Sequence, residues 1–391
     1  MISKSMADAL KNSSLIRKMF EEGNRLKKIY GQDKVFDFSL GNPDLEPPVE
    51  VKAALRELVL EEEQGLHKYM NNAGYESTRR AVADRHNRVY ETGLEPGSLI
   101  MTVGAAGALN VALKIILDPE DEVLVLTPYF VEYFHYIKNH GGRAVVVDCK
   151  PEDFSLDLEA IAQAIGPKTK ALILNSPNNP SGAIYTEDSL RALNDLLKAQ
   201  DHLIYVISDE PYREILFDGN QAPNTMDLID NLLLCYSWSK ALALPGDRIG
   251  YLAVSPRCDY ENDLISAAVL ANRSLGFVNA PSIMQRVVER AIDARVDMAS
   301  YQRRCDLMYG ILMDAGYECL KPQGALYLFP KSPIKDDFAF VDILARHNIL
   351  AVPGSAFGMK GYFRLTFCVD EKIIESSRQA FALALKDSKN I

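Results

Sequence analysis

Seven short runs of apolar residues recur between residues 99 and 255, and most are rich in β-branched side chains. The runs are apolar throughout, with no alternation of polar residues, which is typical of strands buried on both faces of a sheet. We therefore predict seven buried strands, at residues 99–103, 122–126, 144–148, 171–175, 203–208, 232–237 and 249–255.

Helical periodicity occupies several of the intervals between these runs. Residues 107–117 ("GALNVALKIIL") and 187–200 ("EDSLRALNDLLKAQ") place apolar side chains three and four positions apart. Strands that alternate with helices indicate an α/β fold with a mostly parallel sheet. We expect a large domain of three layers, with helices on both faces of the sheet.

The C-terminal part of the chain has a different pattern. Residues 284–316 show long helical periodicity, and shorter strand-like pieces follow at 325–330 ("ALYLFP") and 362–369 ("YFRLTFCV"). Helices separated from strands along the chain are typical of an α+β arrangement. We predict a large domain over residues 45–280 and a smaller α+β domain made of residues 1–44 together with 281–391.

The composition narrows the classes of protein that are possible. The chain has 391 residues, of which 48% are hydrophobic and 25% charged, and its formal net charge is −10. This is a globular composition, and its acidity argues against nucleic acid or an anionic membrane as the main partner. The six cysteines form no CxxC pair and no zinc-type spacing, so we expect no metal. Scattered single cysteines and the absence of a long apolar run lead us to expect a cytoplasmic location.

Polar or glycine-rich segments follow four of the apolar runs. "GAAGAL" follows residue 103, and "NSPNNPSG", "DEPY" and "SWSK" follow the apolar parts of the later runs. In open α/β sheets, ligands bind beyond the carboxyl ends of the strands. The four segments are therefore expected to converge on one pocket.

Arg248 departs from this pattern because it precedes its apolar run, residues 249–255, instead of following it. If Arg248 belongs to the same pocket, that strand must run antiparallel to its neighbours. The direction of this strand is a prediction that the structure can test.

The chemistry of these segments fits a phosphorylated aldehyde cofactor. A lysine amine shielded from water, here Lys240, can act as a nucleophile toward an aldehyde. The N–H groups of Ala105 and Ala106 at a helix start, with Ser237 and Arg248, would bind a phosphate. A carboxylate would keep a heteroaromatic nitrogen protonated. Pyridoxal 5′-phosphate requires a lysine, a partner for its pyridine nitrogen and a phosphate site.

The succession "NNPSG … DEPY … SWSK … R-x-GY" resembles that of the class I/II aminotransferases of fold type I, the aspartate aminotransferase superfamily. The resemblance extends from "FSLGNPDLEPP" (38–48) to "FRLTF" (363–367). It implies that Lys240 forms a Schiff base with pyridoxal phosphate, that Asp209 pairs with the pyridine nitrogen, and that Tyr212 and Asn179 bind the phenolic oxygen. It also implies that Tyr129 stacks on the cofactor ring and that Tyr69 reaches the cofactor phosphate of a second subunit. The implied phosphate cup consists of Gly104, Ala105, Ala106, Ser237, Ser239 and Arg248.

The resemblance also implies a reaction. Arg364 would clamp the substrate α-carboxylate, with Gly41 and Asn179 beside it, and the amino group of an L-amino acid would pass to a 2-oxo acid. Asp209, Tyr212 and Lys240 would be the catalytic residues. A tyrosine that acts across subunits implies a homodimer with shared active sites, and the reaction implies a role in amino acid metabolism.

Two alternatives stay open at this point. A pyridoxal phosphate-dependent C–S β-lyase would use the same motifs, and a cofactor-binding regulatory module would need only the binding site. Some relatives that favour acidic substrates have a lysine where this chain has the neutral Ala106. A dedicated site for a distal carboxylate is therefore not expected here, unless another base such as Arg273 serves. The substrate is therefore open among acidic, small neutral and aromatic amino acids.

Overall fold

The structure is a computed structural model that describes residues 2–11, 23, 25, 27–28, 31, 34–61 and 65–389. By its internal contacts the chain divides into two compact units. Unit 1 comprises Met1–Asn42, Ala299–Pro322 and Leu326–Ile391, and unit 2 comprises Pro43–Met298 and Gln323–Ala325. The domain boundaries given above stay a prediction, and most of residues 12–33 of the predicted small domain lie outside the described residues.

A seven-stranded sheet forms the centre of unit 2, and each of the seven predicted strands is one of its members. The structure shifts the predicted ends by at most two residues. The strands are β2 (Leu99–Thr102), β3 (Glu122–Thr127), β4 (Arg143–Asp148), β5 (Thr169–Asn175), β6 (Tyr205–Asp209), β7 (Leu232–Ser237) and β8 (Gly250–Val254).

The strand order is β2-β8-β7-β6-β5-β3-β4. Strands β3 to β7 pair with one another in parallel. Strand β8 pairs antiparallel with β2 on one side and with β7 on the other. The predicted antiparallel direction of the strand that follows Arg248 is thus confirmed.

The sheet is covered on both faces, as the uniformly apolar strands predicted. Along β7, Leu232 and Leu234 belong to one buried apolar cluster, whereas Leu233 and Cys235 belong to another on the opposite face. Such alternation between two cores is what the pleat of a strand produces. The predicted three-layer α/β architecture is confirmed.

Helices of unit 2 lie in the connections between the strands, before the first strand of the large sheet and after the last. The two predicted helices are α4 (Gly104–Ile116) and α7 (Glu187–Lys198), which begin near their predicted starts. The helices of this unit before residue 200 are α2 (Val49–Leu60), α3 (Glu76–Tyr90), α4 (Gly104–Ile116), α5 (Tyr133–Asn139), α6 (Leu158–Ala164) and α7 (Glu187–Lys198). After it come α8 (Thr225–Leu228), α9 (Trp238–Ala241), α10 (Glu261–Ser274) and α11 (Ser282–Arg290).

The long helical periodicity of residues 284–316 does not give one helix. Helix α11 ends at Arg290, and the next helix, α12 (Met298–Ala315), begins after a turn. The Val296 amide donates to the Ala241 carbonyl oxygen in this turn. The backbone there bonds outside its own segment, which takes it out of a continuous helical ladder.

Unit 1 combines helices with short strands. Its β1 (Phe36–Asp37) and β10 (Ile349–Leu350) pair in parallel, and β11 (Val352–Pro353), β12 (Phe363–Thr366) and β9 (Tyr327–Leu328) form an antiparallel sheet. Its helices are α1 (Lys4–Lys11), most of α12, α13 (Asp337–Arg346), α14 (Glu371–Ser376) and α15 (Arg378–Ser388). This is the predicted α+β composition. Over the described part of the chain, no helix combines the length and apolarity that a membrane span requires.

Candidate active site

The carboxyl edge of the seven-stranded sheet gathers most of the polar residues that the sequence singled out. Asn175, Asp209 and Ser237 are the last residues of β5, β6 and β7. Asn175 is paired in register with Asp209, and Ser237 with Gly250, the first residue of the reversed strand β8. Strand ends and the start of β8 therefore meet at one edge, as the sequence predicted.

An anion-binding geometry exists where β2 passes into helix α4. Gly104 is the first residue of this helix, and Ala105 and Ala106 lie half-buried in its first turn. The Arg248 guanidinium donates to the Val103 carbonyl oxygen at 3.1 Å, beside the helix start. A cation beside the unpaired N–H groups of a helix N-terminus favours a bound anion.

Glycine is required at two positions for this approach. A Cβ on Gly104, whose φ is +78°, would lie 2.7 Å from Nη2 of Arg248. A Cβ on Gly250 would lie 2.3 Å from the Tyr236 carbonyl oxygen and 2.9 Å from Cα of Gly104. The backbones of β8 and of the α4 start therefore come together closely only because both residues lack a side chain.

Ser237 and Ser239 are linked directly at the end of β7. The Ser239 amide donates to Ser237 Oγ at 3.0 Å, and the two hydroxyls are 2.6 Å apart. Ser237 thereby caps the short helix α9, which carries Lys240. This capping fixes the point at which the chain leaves the sheet, and with it the position of Lys240.

Lys240 lies beside Tyr212, half-buried, with its Nζ 5.8 Å from the centre of the Tyr212 ring. Tyr212 is buried. Two residues before Lys240, Trp238 packs edge-on against Tyr236 with the ring centres 5.4 Å apart. Lys240 therefore lies next to buried aromatic side chains at the edge of the sheet and is not a fully solvated surface charge.

Asp209 is a buried carboxylate with one oxygen bonded and one not. The Tyr133 hydroxyl donates to its Oδ2 at 2.7 Å, whereas Oδ1 is buried and accepts no hydrogen bond from any residue that the structure describes. Burial raises the pKa of Asp209 to about 7, the Tyr133 hydrogen bond opposes that rise, and the charge of Glu210 adds to it. An unpaired buried carboxylate oxygen is costly unless a ligand donates to it.

Asn175 joins Asp209 to the "NNPSG" loop. Its Nδ2 donates to the Asp209 carbonyl oxygen at 2.8 Å, and its Oδ1 accepts from the Asn179 amide at 2.7 Å. Asn179 is buried. The structure therefore brings the predicted residues Asn179 and Asp209 together through Asn175, the first residue of "NSPNNPSG", to which the sequence assigned no role of its own.

A buried ion pair stabilises the turn that bears Asp209 and Tyr212. Arg213 Nη1 lies 2.6 Å from Glu210 Oε2, and both side chains are almost fully buried. Arg213 also donates to the Tyr90 hydroxyl at 3.0 Å and to Asn224 Oδ1 at 2.7 Å. Glu210 and Arg213 alternate with Asp209 and Tyr212 in "DEPYR", so the same segment supplies both the candidate site and its support.

Two predicted tyrosines lie apart from these direct contacts. Tyr129, just beyond β3, is half-buried and packs edge-on against Phe134, with the ring centres 4.8 Å apart. Tyr69 is 91% exposed. Their predicted roles, stacking on the cofactor and reaching a second subunit, stay predictions.

The two predicted substrate-binding residues of unit 1 are linked by Tyr327, which sequence reasoning missed. The buried Arg364 guanidinium lies 4.5 Å from the centre of the Tyr327 ring and 4.6 Å from that of Phe357, and it donates to the Ser39 carbonyl oxygen. A Cβ on Gly41 would lie 2.0 Å from the Tyr327 hydroxyl oxygen. Arg364 is thus oriented by two rings and a carbonyl, which suits a fixed, bidentate carboxylate clamp.

The fold and the polar edge of its sheet define a fold type I aminotransferase architecture, and comparison with known proteins agrees. The profile of the family "Aminotransferase class I and II" matches residues 33–381. The aspartate/prephenate aminotransferase of Thermus thermophilus is 35% identical over 88% of this chain and 89% of its own.

Two solved structures are similar over nearly the whole chain. An amino transferase from Eubacterium rectale has a TM-score of 0.96 and 37% identity over 99% of both chains. The aspartate aminotransferase of Thermus thermophilus with maleate has a TM-score of 0.85 and 30% identity over 95% of this chain and 96% of that one.

The chain belongs to the class I and II aminotransferase family. It moves the amino group of an amino acid to a 2-oxo acid, so the activity predicted from the sequence is confirmed. The comparisons give no support to the lyase or to the regulatory alternative.

Proposed function

We propose that this aminotransferase works with pyridoxal 5′-phosphate bound at the carboxyl edge of the unit 2 sheet. The observation that carries the proposal is Asp209 Oδ1, a buried acceptor without a donor among the described residues. The protonated pyridine nitrogen of the cofactor is a donor of the right chemistry for it. The helix start at Gly104 with Arg248 above it fits the phosphate group.

The residues at this edge suit distinct tasks. Asp209 would hold the proton on the ring nitrogen, since an anion nearby favours the charged form of its partner. Tyr212 and Asn179 would bind the phenolic oxygen, and Tyr129 would stack on the ring. Gly104, Ala105, Ala106, Ser237, Ser239 and Arg248 would hold the phosphate.

Lys240 would attach the cofactor through its amine and then act on the substrate. When bound, the cofactor supplies an electron sink for the pair that remains after Cα loses its proton. The Lys240 amine, once displaced by the substrate, would carry that proton between Cα and C4′ as general acid and base, at a benefit of roughly 10²–10⁴-fold.

Absorbance and chemical trapping test the attachment. Purified protein incubated with the cofactor is expected to absorb in the visible, and borohydride is expected to fix the cofactor to the peptide that contains Lys240. Lys240→Ala should abolish the fixation, whereas the exposed Lys198→Ala should leave it intact. Fixation that persists in Lys240→Ala would contradict the assignment.

Arg364 is proposed to bind the α-carboxylate of the substrate, with Gly41 lining the same position. Arg364→Lys keeps the charge but loses the planar pair of donors, so KM for the amino donor should rise by roughly tenfold or more. Arg303→Lys, at an exposed arginine of unit 1 paired with Glu371, is the matched control. Equal KM values for the two variants would count against this role for Arg364.

The amino donor and acceptor are proposed as a range to be narrowed by assay. Ala106 is neutral, and Arg273 is exposed on helix α10 of the single chain, so neither residue by itself identifies the substrate. Acidic, small neutral and aromatic donors should be tested against 2-oxoglutarate, pyruvate and oxaloacetate. Formation of the exchanged amino acid and 2-oxo acid is expected; pyruvate and ammonia without an acceptor would indicate the lyase.

We also propose a homodimer with shared active sites. Tyr69 is 91% exposed, and three apolar side chains of helix α2 are each at least 74% exposed: Val49, Val59 and Leu60. Exposure of large apolar side chains to water is costly, so we expect a second copy of the chain to cover them. Mixing Tyr69→Ala with Lys240→Ala subunits should restore activity, because a hybrid dimer would contain one complete site. Mixtures no more active than their components would exclude sharing.

The proposed location is the cytoplasm. The six cysteines form no disulfide with one another in the described residues, and five of them are buried. Cysteines that are not joined in disulfides are typical of proteins in a reducing compartment. Fractionation of cells that express the native chain would test this location.

A further inference from the structure

The Tyr133 hydroxyl donates to the carboxylate of Asp209 from within the core. Tyr133 is the first residue of helix α5 and is 2% exposed, with its ring edge-on to Phe130 at 5.6 Å between centres. It belongs to the same apolar cluster as Val125 and Ile137. A phenol held this firmly cannot follow a moving partner, so it fixes the position of the oxygen to which it donates.

The two oxygens of Asp209 are thereby made unequal. Oδ2 accepts from Tyr133 at 2.7 Å, and Oδ1 has no donor within the described part of the chain. The hydrogen bond prevents rotation of the Asp209 carboxylate, so Oδ1 is the oxygen that faces a ligand. A hydrogen bond to a charged acceptor also stabilises the charged form over the neutral one.

Three influences on Asp209 compete. Burial favours the neutral acid, the neighbouring charge of Glu210 favours it as well, and the Tyr133 hydrogen bond favours the carboxylate. Glu210 is itself neutralised by Arg213 at 2.6 Å. Tyr133 is thus the side chain that opposes desolvation at this position.

We propose that Tyr133 is a positioning residue that orients Asp209 and keeps it ionised, so that the proton shared with the cofactor stays on the ring nitrogen. The inference rests on the proposed cofactor site. Tyr133 would thus control how strongly the cofactor's pyridine ring attracts electrons, although Tyr133 need not touch the cofactor itself.

The test is Tyr133→Phe, which removes one hydroxyl and keeps the ring. NMR of the bound cofactor, labelled at its ring nitrogen, should show a resonance displaced toward that of the unprotonated nitrogen. The kcat should fall by roughly tenfold, as expected for a difference near one pKa unit, while KM for the amino donor stays nearly unchanged. Fluorescence of Trp238, the only tryptophan of the chain, reports cofactor binding in the same samples.

Tyr317→Phe is the matched control, because it also removes a buried tyrosine hydroxyl, one that donates to the Phe381 carbonyl oxygen within unit 1. It should leave the nitrogen resonance unmoved. If Tyr133→Phe does not fold by circular dichroism, para-aminophenylalanine at position 133 offers a weaker donor and should move the resonance in the same direction.

A wild-type resonance in the folded variant, with either substitution, would overturn the role of Tyr133. Failure of the wild-type protein to bind the cofactor would overturn the proposed function instead. The two failures are therefore distinguishable in one set of samples.

Discussion

Replacement of Arg213 by methionine should strongly destabilise unit 2. Arg213 and Glu210 form an ion pair at 2.6 Å, with side chains 4% and 2% exposed. Removing only the arginine leaves the Glu210 carboxylate buried without its cation, and such changes cost about 3–5 kcal/mol. Methionine fills similar volume, so the cost arises mainly from charge and hydrogen bonding, with a smaller part from packing.

The magnitude follows from the contacts that are lost. Arg213 donates to three acceptors, Glu210, Tyr90 and Asn224, and its guanidinium lies 4.1 Å from the centre of the Tyr90 ring. In Glu210→Gln/Arg213→Met no buried charge remains without a partner. We therefore expect the double variant to be less destabilised than the sum of the two single variants, by about 2 kcal/mol or more.

Urea unfolding of the cofactor-free protein measures this effect. Trp238 lies in unit 2 with Arg213, so its fluorescence follows the relevant unit. Arg191→Met is the matched control, because Arg191 pairs with Glu187 at an exposed position where both side chains are 57% exposed. Its free energy of unfolding should change by no more than about 0.5 kcal/mol.

Two results would refute this reasoning. One is a loss in Arg213→Met that is no larger than the loss in Arg191→Met. The other is strict additivity in the double variant, which would mean that Glu210 and Arg213 stabilise the fold independently.

Three further predictions concern individual positions. Burial, with contributions from two arginines, lowers the pKa of His86 from 6.5 to about 3. As the pH falls below 6.5, the unfolded chain binds a proton at this histidine that the folded chain does not, so the stabilisation present above pH 6.5 is lost as the pH falls toward 3. In urea titrations, His86→Gln should reduce the change of the unfolding free energy with pH by up to about 1.4 kcal/mol per pH unit. Gly250→Ala places a methyl 2.3 Å from a main-chain oxygen and should cost about 1–3 kcal/mol and weaken cofactor binding, whereas Gly246→Ala, with open space around it, should do neither. Gly41→Ala should displace Tyr327 and raise KM for the amino donor without changing cofactor affinity; equal losses of both would show a general defect.

The strands and their direction were predictable because the sheet is buried on both faces. Uniformly apolar runs marked all seven strands, and the position of Arg248 before its run, rather than after it, indicated the reversal of β8. The motif residues at the strand ends were also accessible, since each follows directly from its strand in the sequence. Local sequence therefore carried the existence and the direction of the strands, with their ends placed to within two residues.

Contacts between distant segments were not predictable in the same way. Tyr133 lies in an aromatic-rich stretch with Tyr129, Phe130, Phe134 and Tyr136, and nothing in the sequence distinguishes the one that reaches Asp209. The end of helix α11 was missed for a similar reason: the apolar periodicity continues through the turn, and a bond from Val296 to a residue far earlier in the chain interrupts the helix.

The reversed strand β8 turns the connection after β7 into a spacer of set length. Its register is held along both edges, by β2 and by β7, so a residue added between Lys240 and Arg248 could not be absorbed by sliding the strand, because a one-residue slip would exchange its two faces. An added residue would therefore have to be accommodated within the turns between α9 and β8, where it would change the separation of Lys240 from Arg248. The number of residues between Lys240 and Arg248 therefore limits how far apart the lysine amine and the arginine guanidinium can lie.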